Sequence, residues 1–279
     1  MVNLEKLLTK PKVFSRLTGL TPEKFQWLLE RVEPRFLEND RKRKDRPNRK
    51  RAIGAGPKRK LSVGQALFGV LLYYRTYVSH VFIGMLLGID DGNVGRYFGK
   101  IEPLLAGIFK IPGRRIDLSE NDVMELIIDA TEQPSERRKG SGYSGKKKRQ
   151  TVKVQIAVNT KGKIKAVSKR ISGNVHDKKL YDQARMYAKK RVRKRADLGY
   201  IGTECATPIK KRKGIDLTEE EKAYNRQFSK ERIVVEHALA CMKKFQILAQ
   251  RLRNPIRNYT LIFKNIAGLR NMQMESITP

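Results

Sequence analysis

Several residue types are scarce in this chain, and each scarcity closes off a class of protein. Two cysteines in 279 residues, Cys205 and Cys241, form no CxxC and no Cys/His pair at zinc spacing, which leaves no basis for a disulfide framework or a zinc finger. No apolar run approaches the roughly 20 residues that span a bilayer, so no membrane partner is expected. The opening MVNLEKLLTKPKVF has neither an apolar signal core nor a small-residue cleavage site, and the expected location is the cytoplasm. Acids are scarce too: 28 Asp and Glu stand against 61 Lys and Arg, a formal net charge of +33. Because the excess cations recur along the whole chain, they call for a polyanionic partner, and nucleic acid is the default, with the protein lying on the chromosome.

What is present divides the chain by composition. Thr21-Pro22 has the form of an N-cap followed by proline at the first helical position, and Phe25, Leu28, Leu29, Val32 and Phe36 then share one face. Residues 1–38 are therefore expected to form a helical segment. The stretch NDRKRKDRPNRKRAIGAGPKRK, residues 39–60, has too few apolar residues to pack and is expected to be a basic linker. In residues 61–112, Ser62 caps a helix with Leu67, Val70, Leu71 and Tyr74 on its buried stripe. A short helix from Ser79 to Leu87, a turn at Gly88 and a third helix carrying Asn93, Arg96 and Lys100 follow. That order is the helix-turn-helix plan, whose second helix enters the major groove of DNA, although a plain helical hairpin has the same signature.

From residue 113 on, the pattern is that of a mixed α/β domain. VMELIIDA, TVKVQIAVNT and KIKAVSKRI read as strands, the last two joined by a turn at Thr160-Lys161-Gly162. A helix over 178–190, short strands at 194–197 and 208–210, and a long helix over most of 219–251 are expected next. In that long helix Val234, Ala238, Cys241, Phe245, Leu248 and Leu252 form the packing stripe.

Three acids fall on separate elements of this domain: Asp129 at the end of the most apolar strand, Asp197 after a short strand, and Glu236 on the long helix. Carboxylates at such junctions need a cation, either a basic side chain or a divalent metal, since burying an uncompensated charge is costly. Mg²⁺ is commonly held by one or two carboxylates together with phosphate oxygens, so acids on separate elements suit a bridge between protein and DNA. Ordinary salt bridges to the many Lys and Arg residues are the alternative. At about 100° per residue, Arg232, Glu236 and Lys243 project within roughly 40° of one another. This offers one carboxylate between two phosphate-binding cations, on the side opposite the expected packing stripe. The run Lys146-Lys147-Lys148-Arg149 is a further candidate for phosphate contact, and His176-Asp177 reads as a turn or helix cap more readily than as an acid/base pair.

Taken in order, GAGPKRKLSVGQALFGVLLYYRTYVSHVFIGMLLGIDDGNVGRYF, IIDATEQP, YSGKKKRQTVKVQ, GNVHDKKL, ADLGYIG and ERIVVEHALACMKKF resemble the IS5-type DDE transposases, a superfamily that includes Harbinger-like nucleases. The resemblance runs from about Phe25 to about Met274. It implies an RNase H-like catalytic domain over residues 113–279, with Asp129, Asp197 and Glu236 as catalytic, metal-holding residues. It also implies Mg²⁺ or Mn²⁺ as cofactor, as two ions, and terminal inverted repeats together with target DNA as substrates. Ser229 stands where related helices carry Tyr, and Gln150 stands where they carry His. A homodimer on DNA is expected because paired ends need coordinated cutting. The competing expectation is a DNA-binding regulator that has kept the basic surface without the chemistry.

Overall fold

The computed structural model describes residues 2–45, 47, 52, 58–116, 125–184, 186, 188 and 192–275. The chain forms two compact units. One comprises the residues up to Lys110 with Phe245–Ile247, and the other Ile111–Lys244 with Leu248–Met274.

The first unit is helical: α1 (Leu4–Leu8), α2 (Pro11–Thr18), α3 (Pro22–Lys44), α4 (Val63–Thr76), α5 (His80–Leu87) and α6 (Asp91–Phe109). Thr21 accepts a hydrogen bond from the Lys24 amide, and proline opens α3 where its missing N–H costs nothing. The expected linker from residue 39 is helical up to Lys44, because Asp40 supplies what its apolar poverty denies. The Asp40 carboxylate is buried and pairs with Arg43 at 2.8 Å, Lys44 at 2.7 Å and Lys100 at 3.5 Å. Residues 1–38 and 61–112, expected as separate segments, share one interior: Phe14 of α2 meets Phe25 of α3 edge-on at 5.2 Å and Phe68 of α4 at 6.1 Å. Each such ring, fully withdrawn from water, contributes about 1.5–3 kcal/mol.

A capping box between Ser62 and Gln65 starts α4, and Ser79 caps α5. The turn between α5 and α6 is set by two glycines. Gly88 takes the left-handed conformation at φ 70°, and the Ile89 amide donates back to the Gly84 carbonyl at 3.0 Å. A Cβ at Gly84 would stand 2.4 Å from the Ile89 carbonyl oxygen. A helix end, a left-handed glycine and a third helix are thus fixed at a tight corner, and the three-helix expectation for this region holds.

The second unit is built on a mixed sheet of β1 (Glu125–Pro134), β2 (Gly142–Ser144), β3 (Arg149–Val158), β4 (Ile164–Val167), β5 (Ile171–Ser172) and β6 (Arg193–Arg195). Its order is β2-β3-β1-β6, with β4 and β5 also paired to β3. β1 and β3 are antiparallel, with Asp129 opposite Ile156, whereas β1 and β6 are parallel, with Ile127 opposite Arg195. The helices that follow the sheet strands are α7 (Asp177–Ala184), α8 (Glu219–Lys243), α9 (Gln246–Ala249) and α10 (Tyr259–Met274). A cluster including Leu126, Ile128, Ala157, Tyr181, Ala196 and Tyr200 forms the core on one side of β1. Ile127, Asp129, Thr131 and Gln133 alternate to the other side, where α8 packs. A helical unit followed by a mixed, curled sheet flanked by helices is the expected fold class, consistent with an RNase H-like domain.

Several boundaries differ from the sequence expectation. Val123 lies outside the described residues. β1 does not stop where the apolar run stops but continues to Pro134, so Asp129 sits mid-strand, its neighbours held by the ladder to β3. The third expected strand is split into β4 and β5. Residues 208–210 form no strand, and Ile209 is instead tied to α8 through both backbone groups, at 2.8 and 3.0 Å, by the Asn225 amide. The long helix ends at Lys243, so Phe245, Leu248 and Leu252 lie beyond it. Because those three residues set the expected phase, the packing face differs from the expected one. The buried residues are Phe228, Val235, Ala238, Leu239 and Met242.

Candidate active site and nucleic-acid surface

Asp129 is the most conspicuous charged group on β1. Its carboxyl is 18% exposed, and one oxygen accepts from the Ala130 amide at 2.8 Å. The Arg232 guanidinium stands 3.9 Å from the other oxygen. Burial pushes this carboxyl up to about 6, against the opposing pull of the Ala130 amide and Arg232. The charges of Asp197 and Asp177 add to the upward push. Burial is thus the main reason this carboxyl is held up, and the two neighbouring acids add to it.

Asp197 follows β6 and caps the 3-10 turn Leu198–Tyr200, its carboxylate accepting from the Gly199 amide at 3.0 Å. The parallel β1–β6 pairing is what brings Asp197 beside Asp129: Ile127, two residues before Asp129, is opposite Arg195, two residues before Asp197. Arg195 also forms ion pairs with Glu125 of β1 and Glu231 of α8, and its guanidinium lies over the Phe228 ring.

The shifted phase of α8 rearranges the expected trio of helix residues. Arg232 lies on the packing face, with its side chain only 12% exposed and directed to Asp129, not on a face opposite the apolar stripe. Glu236, one turn on, is exposed. Lys243, in the last turn, has its ammonium shifted down by partial desolvation and then by Lys147, while Asp129 opposes the shift. Arg232 and Lys243 thus lie near Asp129, and Lys147 lies near Lys243. No group of three His, Cys, Asp or Glu side chains that could hold a metal ion occurs among the described residues.

Sequence reasoning passes over a set of buried charges behind this pair. Lys153 on β3, nearly inaccessible, donates to Asp177 at 3.0 Å and to the Val175 carbonyl at 3.0 Å, and pairs with Glu132 across the strands at 3.2 Å. Glu132 also accepts from Thr151 at 3.0 Å. The available signal is a lysine and a glutamine, Lys153 and Gln155, inside the otherwise apolar run TVKVQIAV.

The basic residues expected to contact DNA fall into two groups. Lys146, Lys147, Lys148 and Arg149 are exposed at the turn between β2 and β3, where Lys148 takes φ 47° and the Lys147 amide is held by Ser144 at 3.2 Å. On α6, Arg96 is exposed and donates to Asn93 at 3.0 Å, and Asn93 donates to Asp90 at 3.3 Å. Lys100 is turned to Asp40 at 3.5 Å and lies over the Phe36 ring at 5.6 Å, so it is engaged within the helical unit. No described helix is long and apolar enough to cross a membrane.

Comparison with known proteins is consistent with these observations. Residues 126–271 match the family described as DDE superfamily endonuclease. Residues 59–111 match the helix-turn-helix of DDE superfamily endonuclease. The chain is 32% identical over 280 aligned residues to the probable transposase for insertion sequence element IS702 of Microchaete diplosiphon, with 96% of each chain covered. No solved structure matches. With a helix-turn-helix ahead of a mixed sheet that sets Asp129 beside Asp197, and with a relative of that identity spanning nearly its whole length, the chain belongs to the DDE superfamily of endonucleases and transposases.

Proposed function

We propose that the protein is an insertion-sequence transposase that binds the terminal inverted repeats of its own element, cuts there, and joins the freed ends to target DNA. The observation that carries this reading is the Asp129 carboxyl: buried on a central strand and crowded by the charges of Asp197 and Asp177, with Arg232 opposing. Carboxylates crowded in this way suit a divalent cation, and their hard oxygen donors suit Mg²⁺ or Mn²⁺. Asp129 and Asp197 would hold it, with Glu236 joining from α8. The cation, as one ion or two, would supply Lewis-acid stabilisation of the phosphoryl transfer when bound.

The chain's own residues do the rest. Arg232 keeps Asp129 ionised at neutral pH and holds it toward α8. Lys147 and Lys243 place positive charge beside the acids, where a DNA phosphate would lie, and Lys146, Lys148 and Arg149 extend that surface. The helix-turn-helix docks the repeat through Asn93 and Arg96 on α6, with Lys100 serving chiefly to hold that helix against α3. Two copies act on paired ends, in the cytoplasm and on the chromosome.

The test is cleavage of end-containing DNA in Mg²⁺ by Asp129→Asn, Asp197→Asn and Glu236→Gln, with binding measured alongside. Each is expected to lose activity by about a thousandfold or more while binding stays within a few-fold. Retained cleavage removes that residue from the set. The exposed position of Glu236 is the one observation favouring a DNA-binding regulator without chemistry, and sequence-specific binding by a wild-type chain that never cuts would establish that reading.

A further inference from the structure

We propose that a cavity of the sheet unit lined by Arg114, Lys169 and Lys264 is a phosphate-binding pocket, and that it seats a backbone phosphate of bound DNA. None of these residues belongs to the surfaces assigned above. The pocket rests on the DNA-binding reading of the chain.

The cavity, of about 370 Å³, is formed by elements far apart in the sequence. Arg114 comes from the segment ahead of β1, Lys169 from the connection between β4 and β5, Gln183 from α7 and Lys264 from α10. Backbone contacts fix these pieces. The Val167 amide donates to the Pro112 carbonyl at 3.0 Å, which ties the segment leading to Arg114 against β4. On either side of Lys169, the Ser168 amide donates to the Gln155 carbonyl at 2.8 Å and the Arg170 amide to the Thr260 hydroxyl at 3.0 Å. Thr260 and Lys264 are one turn apart on α10, so the helix face that captures Arg170 also brings Lys264 to the cavity.

The charge around this cavity is of one sign. No Asp or Glu is among the described residues lining it, and none of its three cations forms an ion pair among the described residues. Lys264 shows the consequence. Its ammonium lies against Gly113, where a Cβ would stand 3.3 Å from Nζ and 3.5 Å from the Val167 carbonyl oxygen. Partial withdrawal from water, and then the charge of Lys169, push it below the ordinary lysine range, and no acid among the described residues opposes them. A solvated surface lysine would turn outward and avoid both effects.

Withdrawing an ammonium from water is costly unless an anion meets it, and one anion between two such groups relieves their repulsion as well. Phosphate has the charge and enough acceptor oxygens to meet both lysines, the Arg114 guanidinium and the Gln183 amide. Ile171 and Leu180, also in the lining, offer an apolar wall for a sugar next to that phosphate. For a chain of net charge +33, the abundant source of such a group is a nucleic-acid backbone.

Binding of the full chain to a duplex carrying its element's end, followed by fluorescence anisotropy across a salt series, tests the pocket. Lys264→Met keeps the side chain's length and removes its charge, and the slope of log affinity against log salt is expected to fall in magnitude by about 1. Lys161→Met, at the exposed turn between β3 and β4, removes the same charge elsewhere and is expected to leave the slope unchanged. A slope unmoved by Lys264→Met, or lowered equally by both variants, overturns the pocket and leaves the DNA-binding reading intact. A wild-type chain that does not bind the duplex sinks both. Without any variant, bound duplex is expected to shield Lys169 and Lys264 of the wild type from acetylation, read by mass spectrometry. Shielding of Lys146, Lys147 and Lys148 without these two also overturns the pocket. Inorganic phosphate that shields the pair where the duplex does not would mark a free-anion site and overturn the assignment to DNA.

Discussion

The helical unit and the sheet unit keep charge in opposite places. In the first, the interior is aromatic and aliphatic, and its buried acids, Asp40 and Glu102, each have a local partner: three cations for Asp40, the Tyr74 hydroxyl at 3.0 Å for Glu102. In the second, Lys153, Glu132, Asp177, Asp129, Arg232 and Arg195 run through the region where strands meet α7 and α8, and the compensation at Asp129 is incomplete. On the proposed function, a unit that docks DNA can settle its buried charge internally, whereas one that handles phosphate and metal leaves some for the ligand to complete.

The contrast can be broken most forcefully at the helix-turn-helix corner. Gly84→Ala would press a methyl onto the Ile89 backbone oxygen, which no side-chain rotation relieves. We expect loss of sequence-specific binding together with a fall in stability of about 3 kcal/mol or more, read by denaturant unfolding and gel shift. An alanine chain that binds its repeat normally would show the corner to be pliable.

A medium effect is expected at the incomplete compensation. The Asp129 carboxyl lies at about 6, raised by burial and held back by the Ala130 amide and Arg232. The ionised form is the one that holds a cation, so cleavage should rise as pH climbs through that value. Arg232→Met takes away an opposing influence, so the acidic limb of the pH–rate profile moves to higher pH. An unmoved limb would mean that Arg232 contributes little to Asp129.

The smallest effect belongs to the settled charge. Burial raises the Glu102 carboxyl to about 7 against the lowering effect of Tyr74. The folded chain therefore favours its protonated form. Its contribution to stability is full below the ordinary carboxylate range and is lost as pH rises through about 7. Glu102→Gln should flatten that dependence, leaving the melting temperature near wild type at pH about 5 and above it at pH about 8. A variant that keeps the wild-type slope would place the pH sensitivity elsewhere.

The same contrast explains what is legible in the sequence. In the helical unit apolar period, caps and glycines all point one way, so α4, α5 and the start of α6 are readable nearly to the residue, whereas α6 runs on through Pro103, expected as the start of a boundary, to Phe109. The basic tail of α3 is not, because its stabilising contact, Lys100 to Asp40, spans residues far apart in the chain. In the sheet unit the acids Asp129 and Asp197 are found through motif and position, and their pairing through β1 and β6 follows. The phase of α8 is obscured because Phe245, Leu248 and Leu252, past the end of the helix at Lys243, mimic its period. Its true packing face includes Arg232, which no hydrophobic pattern selects. Asp177 looks like a turn residue because only the fold turns it toward Gly199.

Arg195 ties together the three elements on which the expected acids ride. Its partners lie four residues before Asp129 on β1 and five before Glu236 on α8, and it is itself two residues before Asp197. One guanidinium thus acts as a common origin from which all three positions are measured. Substitutions that spare every acid but loosen this shared reference would scatter the proposed centre.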